Sequence, residues 1–171
     1  MILLHEVMLV IKKAVTNLSV TYNVALITIA RIPANDSIVS DIFNSIAKQN
    51  INVDMISQSP PIRGTFNVSF SLPASDVVKA LTELNNFKKK YKDIVIEVDS
   101  NNTKISVYGE KMRDLPGVAA RLFTIMYQNG VEIKLVTTSE VDISYLIYDK
   151  DVDKAVDAIK NEFEVLTCAF S

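Results

Sequence analysis

The sequence has few of the residue types on which catalytic, metal-binding and disulfide-bonded sites depend. Its 171 residues contain no tryptophan, four glycines, one cysteine (Cys168) and one histidine (His5). A single cysteine cannot form an intramolecular disulfide, which is typical of a reducing compartment, so we expect a cytoplasmic location. One histidine and one cysteine far apart in the sequence exclude a zinc cluster and a Cys–His nucleophile pair. We therefore predict no metal site and no catalytic residue in this chain.

Motifs for phosphate, nucleic-acid and membrane binding are also missing. The glycines form neither G-x-x-x-x-G-K-[ST] nor G-x-G-x-x-G, and the net charge is −2, which does not favour nucleotides or nucleic acids. The apolar start, Met1–Val10, is interrupted by charged residues and is shorter than the roughly 20 residues that span a bilayer. Its lysines follow it, whereas those of a signal peptide precede it. We expect residues 1–13 to be a lead-in that packs on the domain or on a partner, with no nucleic-acid or membrane partner.

The most informative feature of the sequence is an internal repeat. Ile51–Ser59 aligns with Val131–Ser139, 80 residues further along. After Ser59 the first copy carries five extra residues, Pro60–Gly64, and the offset becomes 75. Apolar positions match through two helices and three strands, which indicates a duplicated domain. The matched helix positions are Ile38, Ile42, Phe43 and Ile46 with Val118, Leu122, Phe123 and Met126.

Each copy predicts the order strand–helix–strand–strand–helix–strand. Val24–Ala30 alternates with period two, and Asn35 and Asp36 offer N-cap oxygens to the helix that follows. Asn50 and Gly130 fit the left-handed residue that ends the first helix of each copy. Right-handed crossovers arrange such a chain as an antiparallel four-stranded sheet with both helices on one face. The sequence therefore predicts an α+β protein of two ferredoxin-like βαββαβ domains.

The fourth strand of the second copy has two candidates. Ile94–Val98 closes the first copy, but only a short tail follows Phe163 in the second. Val15–Val20, ahead of the first copy, is an unassigned strand-like segment, and Val165–Phe170 can serve equally well. We assign residues 23–100 to the first domain and residues 14–22 with 101–171 to the second, so that the first domain is inserted in the second.

Four segments resemble a known family. Asp114–Ala120 places a glycine at the start of a helix, where the backbone can approach a ligand and the first-turn N–H groups attract a carboxylate. This segment resembles the signature turn of ACT domains, which are small-molecule sensors with the fold predicted above. Thr138–Ser144 resembles the end of the second ACT domain of aspartate kinases, and Ile51–Met55 with Gln58 resembles the matching strand of the first. Val15-Thr16 is similar to the strand that in this family belongs to the second domain.

The resemblance implies a regulatory region and not the kinase itself. In aspartate kinases a preceding catalytic domain uses ATP and magnesium to phosphorylate the side-chain carboxylate of aspartate, so we expect no cofactor in this chain. Lysine or threonine binds between ACT domains at a dimer interface. The expected partners are therefore that effector, a second copy, and the aspartate kinase catalytic domain or subunit. Two alternatives remain open, a pair that only dimerises the kinase and a free-standing amino-acid-binding ACT protein.

The resemblance also implies which residues bind the effector. Where the family's first domain has Asp-x-Pro-Gly, this chain has Ala34 and Ser37 at the Asp and Gly positions. If the turn needs a left-handed residue there, a non-glycine costs about 1–2 kcal/mol, which would weaken or change binding. The first-domain residues are Asn35, Asp36, Ser37, Ile38, Val39, Asn52, Val53, Asp54 and Gln58, and those of the second-domain turn are Asp114, Pro116, Gly117, Val118, Ala119, Ser139 and Glu140.

Overall fold

A computed structural model describes residues 11–34, 37–165 and 167–171. Most of the predicted lead-in, residues 1–10, and the predicted cap residues Asn35 and Asp36 lie outside this part of the chain. The described residues form two compact units. One is Asn23–Asn101, and the other combines the described residues up to Tyr22 with Asn102–Ser171.

In the first unit the strands follow the order β2 (Ile56–Gln58), β3 (Thr65–Pro73), β1 (Asn17–Pro33) and β4 (Val95–Tyr108), and β3 is antiparallel to both β1 and β2. The unit's core contains Ile38, Ile42 and Ile46, which recur at helical spacing. Phe66 and Phe70 alternate along one strand and enter the same core. The elements are β1 (Asn17–Pro33, from Asn23 onward), α1 (Ile38–Lys48), β2 (Ile56–Gln58), β3 (Thr65–Pro73), a 3-10 turn (Ala74–Asp76), α2 (Val77–Lys90) and β4 (Val95–Tyr108, as far as Asn101).

The second unit repeats this plan with the order β1, β4, β6 (Asp142–Tyr148) and β5 (Ile133–Thr138), where β6 is antiparallel to both of its neighbours. Its core includes Val118, Leu122 and Met126 from one helix, with Ile105 and Val107 from the central strand. The further elements are a 3-10 segment (Glu110–Asp114), α3 (Val118–Gln128), β5 (Ile133–Thr138), β6 (Asp142–Tyr148), a 3-10 turn (Asp149–Asp151), α4 (Val152–Glu162) and β7 (Thr167–Phe170). The predicted α+β fold of two ferredoxin-like domains is confirmed.

Both candidates for the last strand of the second unit lie in its sheet. The N–H of Thr16 donates to the carbonyl oxygen of Tyr108 at 2.8 Å, which brings the start of β1 beside the end of β4. β7 then pairs in parallel with residues 17–20 of β1. The carbonyl oxygen of Ala14 lies so near Gly109 that a Cβ there would be 1.7 Å from it. Only glycine permits this approach of the two segments.

The strands differ from the predictions in two respects. The separately predicted segments 15–20 and 24–30 are one strand, β1, and 94–98 likewise continues into the next predicted strand as β4. The left-handed residues Asn23 (φ 57°) and Asn101 (φ 64°) lie within these strands without ending them. Residues 51–55, predicted as a strand, form no regular strand, and the Met55 N–H donates to the Ser71 hydroxyl oxygen at 3.0 Å. The left-handed ends predicted at Asn50 and Gly130 are confirmed.

The duplication is preserved in one aromatic pair per unit. The rings of Phe43 and Phe70 meet edge to face with centroids 5.4 Å apart, and those of Phe123 and Tyr145 do the same at 5.6 Å. Tyr145 adds a hydroxyl that is buried and has no hydrogen-bond partner among the described residues. Burial raises the pKa of this phenol, so it stays protonated and carries the cost of a buried polar group.

We expect Tyr145→Phe to stabilise the protein. Removing an unsatisfied buried hydroxyl should raise the free energy of unfolding by about 1–2 kcal/mol, measured by urea unfolding. The reciprocal change at the equivalent position, Phe70→Tyr, serves as the control and should be destabilising. A loss of stability in Tyr145→Phe would contradict the prediction.

Asp151 is a buried carboxylate just before α4. It accepts hydrogen bonds from the Lys154 ammonium at 2.8 Å and from the Glu132 amide at 3.5 Å. Burial pushes its pKa upward, but these bonds and the charges of Lys154 and Lys150 outweigh burial, so the pKa lies below its ordinary value. A depressed carboxylate pKa stabilises the folded state above the unfolded pKa of about 3.9, and this contribution is lost as the pH falls through the folded pKa.

Asp151→Asn should therefore lower stability at neutral pH and flatten its acid dependence. We expect a loss of about 1–2 kcal/mol at pH 7, discounted for the exposure of Lys154, and a smaller difference at pH 3. Urea unfolding at both pH values measures this. Asp157→Asn, at an exposed position of the same helix, is the control. An equal loss at both pH values would refute the electrostatic explanation.

Candidate functional site

The second unit contains a cleft of about 200 Å³ between the start of α3 and the β5–β6 turn. The α3 side is built by a 3-10 segment, a left-handed glycine and the first helical turn. The other side is built by the end of β5 and the turn itself. The lining residues are Met112, Leu115, Gly117, Val118, Ala119, Thr138, Ser139, Glu140 and Ile143.

Gly117 sets the direction in which the chain enters α3. Its φ is 99°, a left-handed conformation that glycine adopts without steric cost. A Cβ at this position would lie 3.8 Å from the Ile11 side chain, an ordinary van der Waals distance. Glycine is therefore favoured here by the backbone conformation and not by a lack of room for a side chain. Val118 is buried in the core and anchors the first turn. The N–H groups of that turn have no partner within the helix, and they carry the positive end of the helix dipole.

The β5–β6 turn is held by Ser139. Its N–H donates to the Asp142 carbonyl oxygen at 2.8 Å, and its hydroxyl oxygen accepts from the amides of Val141 and Asp142 at 3.3 and 3.1 Å. This leaves the hydroxyl hydrogen to donate elsewhere. Glu140 is exposed at the tip of this turn. The turn thus presents a hydroxyl and a carboxylate on a backbone that its own hydrogen bonds hold in place.

The chemistry of the cleft suits a small zwitterion. The helix N-terminus and the hydroxyls of Thr138 and Ser139 favour a carboxylate, whereas Glu140 favours an ammonium group. The dipole alone contributes only about 0.3–1 kcal/mol, so the side-chain contacts must supply most of the affinity. Apolar side chains at Met112 and Ile143 offer contact to an aliphatic part. An α-amino acid has these three features.

The predicted second-domain residues are partly brought together. Gly117, Val118, Ala119, Ser139 and Glu140 line one cleft. Asp114 and Pro116 are exposed and do not line it. The sequence analysis missed four lining residues, of which Leu115, Thr138 and Ile143 lay within segments already singled out. Met112, Leu115 and Ile143 have an apolar character that could also indicate core.

The predicted first-domain turn has a different backbone. Ser37, at the position of Gly117, has φ −73°, and its hydroxyl donates to Asp41 at 3.4 Å. The condition under which Ser37 would be strained, a left-handed backbone, is therefore not met. Ile38 is fully buried and Val39 packs on the core, so neither side chain faces outward. Asn35 and Asp36 lie outside the described residues.

The remaining first-domain residues lie on the segment that follows α1. Asn52 and Asp54 are exposed, and Val53 is half-buried against the core. Gln58 is exposed at the end of β2, paired with Val68. In the described part of the chain, no group of three or more His, Cys, Asp or Glu side chains could hold a metal ion. No helix there is long and apolar enough to cross a membrane.

Comparison with known proteins identifies the family. A model of the ACT domain matches residues 30–86 and 105–163. The chain belongs to the ACT-domain family. Its pair of ACT domains matches the regulatory region of aspartokinases, as the resemblance implied.

Three relatives illustrate this match. Aspartokinase 2 of Bacillus subtilis is 34% identical over 139 residues, which are 81% of this chain and 34% of that protein. The ligand-free regulatory subunit of aspartate kinase from Thermus thermophilus is 27% identical with a TM-score of 0.80, covering 88% of this chain and 99% of that one. A chain from the crystal structure of aspartokinase alpha and beta subunits is 31% identical with a TM-score of 0.81, covering 89% and 100%. This chain spans about a third of the length of the curated relatives it matches.

Because the two turns have different backbones, we expect glycine to be the more stable residue at position 117 and serine to be the more stable residue at position 37. Gly117→Ala forces a side chain into the left-handed region and should lower the free energy of unfolding by about 1–2 kcal/mol. Ser37→Gly relieves no strain and adds freedom to the unfolded chain, so it should cost about 0.5–1 kcal/mol. Urea unfolding of both variants measures these effects. A gain of stability in Ser37→Gly would mean that Ser37 is strained after all.

Proposed function

We propose that this chain is the effector-sensing regulatory part of an aspartokinase and that it binds lysine or threonine as a feedback signal. The observation that carries the proposal is the cleft at Gly117, where a helix N-terminus, two hydroxyls and the Glu140 carboxylate meet. These groups complement the carboxylate and ammonium that every α-amino acid carries. Regulatory subunits of aspartate kinase have the same pair of domains, which supports the link to this enzyme.

The choice between the two effectors rests on the side chain. A cleft of about 200 Å³ suits a small ligand better than the roughly 300–1,000 Å³ sites of drug-sized molecules. E. coli aspartokinase III, which is 17% identical and shares the fold, has been solved with lysine and aspartate. At that identity the likeness extends to the fold alone, and titration decides the effector.

Regulation would follow from linkage. An effector that binds one arrangement of an ACT dimer more tightly biases the attached kinase toward the corresponding state, typically by about 1–3 kcal/mol. In this proposal the partners are a second copy of the chain and an aspartokinase catalytic domain or subunit, where ATP and magnesium act on aspartate. The chain itself then needs neither cofactor.

A second candidate function is a structural pair that only dimerises the kinase. It is favoured by the first-unit turn, which has Ala34 in place of an acidic residue. It also has Ser37 in a right-handed conformation in place of a left-handed glycine. If the second-unit cleft also binds no amino acid, the chain does not sense an effector and only dimerises the kinase.

Calorimetric titration with lysine and with threonine tests the proposal. We expect saturable heat with one of the two amino acids at millimolar concentration or below. Glu140→Gln should weaken binding at least tenfold if this carboxylate holds the ammonium at the second-unit cleft, whereas Asp54→Asn should do so if the first unit binds. The two variants therefore assign the domain that carries the effector.

Melting temperatures and sedimentation complete the test. A bound effector raises the melting temperature by mass action, so the variant that loses the heat should also lose that rise, and the other variant should keep both. Absence of heat and of any melting shift with either amino acid, in a chain that sediments as a dimer, would favour the structural pair and overturn sensing.

A further inference from the structure

The turn formed by residues 11–14, ahead of β1, packs beside the N-cap of α3. Ile11 is half-buried on the core of the second unit, and its Cδ1 atom would lie 3.8 Å from a Cβ placed on Gly117. Among the described residues, no other side chain beyond the two chain neighbours of Gly117 comes within 4 Å of that point. The Ile11 side chain therefore covers the face of Gly117 on which another amino acid would carry its side chain.

Backbone contacts fix Ile11 in this place. The N–H of Ala14 donates to the Ile11 carbonyl oxygen at 3.0 Å, which closes the turn. The N–H of Glu164 donates to the Lys12 carbonyl oxygen at 2.8 Å, and Ala14 is fully buried against Gly109. The turn is thus bound to two segments of the second unit, the one that follows β4 and the one that follows α4.

Gly117 has no side chain of its own with which to fix its backbone. Glycine is conformationally permissive, so neighbouring groups must hold it at φ 99° and set the direction in which the chain enters α3. On the helix side, Val118 is anchored in the core, and on the other side Ile11 supplies the contact. Gly117 and Val118 line the cleft, so a contact that fixes them also fixes the first-turn N–H groups that a ligand carboxylate would meet.

We propose that Ile11 is a positioning residue of the second-unit effector cleft and that it acts through Gly117. It does not line the cleft, so it contributes no group to the ligand. A backbone that is fixed before binding loses less entropy when the effector is ordered on it, so the Ile11 contact raises affinity. By linkage, the bound effector stabilises the turn of residues 11–14 to the same extent. This inference rests on the proposed function, because it assigns a role within that effector site.

Hydrogen exchange in Ile11→Ala tests the contact with Gly117. The Arg121 amide, which donates to the Gly117 carbonyl oxygen at 2.9 Å, reports on the start of α3. We expect its exchange to accelerate about fivefold in this variant, as for residues in direct contact. The Asp41 amide donates to the Ser37 carbonyl oxygen at 3.1 Å at the equivalent place in the first unit, and its exchange should not change.

Calorimetric titration measures the effect on affinity. Ile11→Ala should weaken the binding of lysine or threonine, whichever binds the wild-type chain, about fivefold. Ile133→Ala is the matched control, because Ile133 is also half-buried on the same core and does not line the cleft. It should keep the affinity within about twofold despite a similar loss of packing. Ile11→Leu retains a δ-carbon and should bind within about twofold of the wild-type chain.

A saturating effector should in turn protect the turn of residues 11–14. Exchange of the Ala14 amide, which donates to the Ile11 carbonyl oxygen, should slow about fivefold when lysine or threonine is bound to the wild-type chain. The Asn129 amide donates to the Ile125 carbonyl oxygen at 3.1 Å at the other end of α3, and its exchange should change much less. A merely structural role of Ile11 would not make exchange at Ala14 depend on the effector.

These measurements separate the inference from the proposed function. Unchanged exchange at Arg121 in Ile11→Ala overturns the hold of Ile11 on Gly117. In a chain that binds, equal losses of affinity in Ile11→Ala and Ile133→Ala, or unaltered affinity in both, overturn the role of Ile11 at the cleft. Exchange at Ala14 that ignores the effector overturns it as well. Absence of binding by the wild-type chain defeats the proposed function, and exchange at Arg121 alone then decides whether Ile11 positions the start of α3.

Discussion

The pairing of the start of β1 with the end of β4 is the contact on which the second domain and its cleft depend. It places Val15 and Leu18 in the core and provides the edge on which β7 pairs. It also brings Ala14 against Gly109. The Gly109 N–H donates to the Val141 carbonyl oxygen at 2.9 Å, and the Gly109 carbonyl oxygen accepts from the Met112 N–H at 2.9 Å. The backbone of Gly109 therefore bonds both sides of the cleft, and the start of β1 packs against this glycine.

The duplicated units show how one architecture gives two different ligand turns. Their cores remain similar down to the edge-to-face aromatic pair, because packing density tolerates little change of volume. Their turns have diverged, because a loop at the end of a strand can gain or lose residues without disturbing that core. In the first unit the N–H of Ala34 donates to the Gly64 carbonyl oxygen at 3.0 Å, and Gly64 belongs to the five residues that the second unit lacks.

The sequence predicted what depends on local patterns. Alternation at Phe66 and Phe70 and helical spacing at Ile38 and Ile42 placed the core correctly, since periodicity follows directly from backbone geometry. The resemblance of Asp114–Ala120 led to the cleft. The conformation of Ser37 was not predicted, because a serine at a position where the family has glycine does not by itself show whether the backbone there is left-handed. The continuity of β1 and β4 was missed for a similar reason, since asparagine at positions 23 and 101 is compatible with either a turn or a bent strand.

The divided second domain also constrains the order in which the protein folds. All the pairings of the first domain lie within one contiguous stretch, so that domain can form as soon as it leaves the ribosome. Residues 17–22 cannot pair until the residues after the first domain have been synthesised, and contacts so remote in sequence form slowly. During that interval an apolar strand carries unsatisfied backbone groups, which is the condition that favours pairing with a neighbouring chain. Folding of the first domain brings residues 22 and 102 close together, which lowers the loop-closure entropy that the later pairing must overcome.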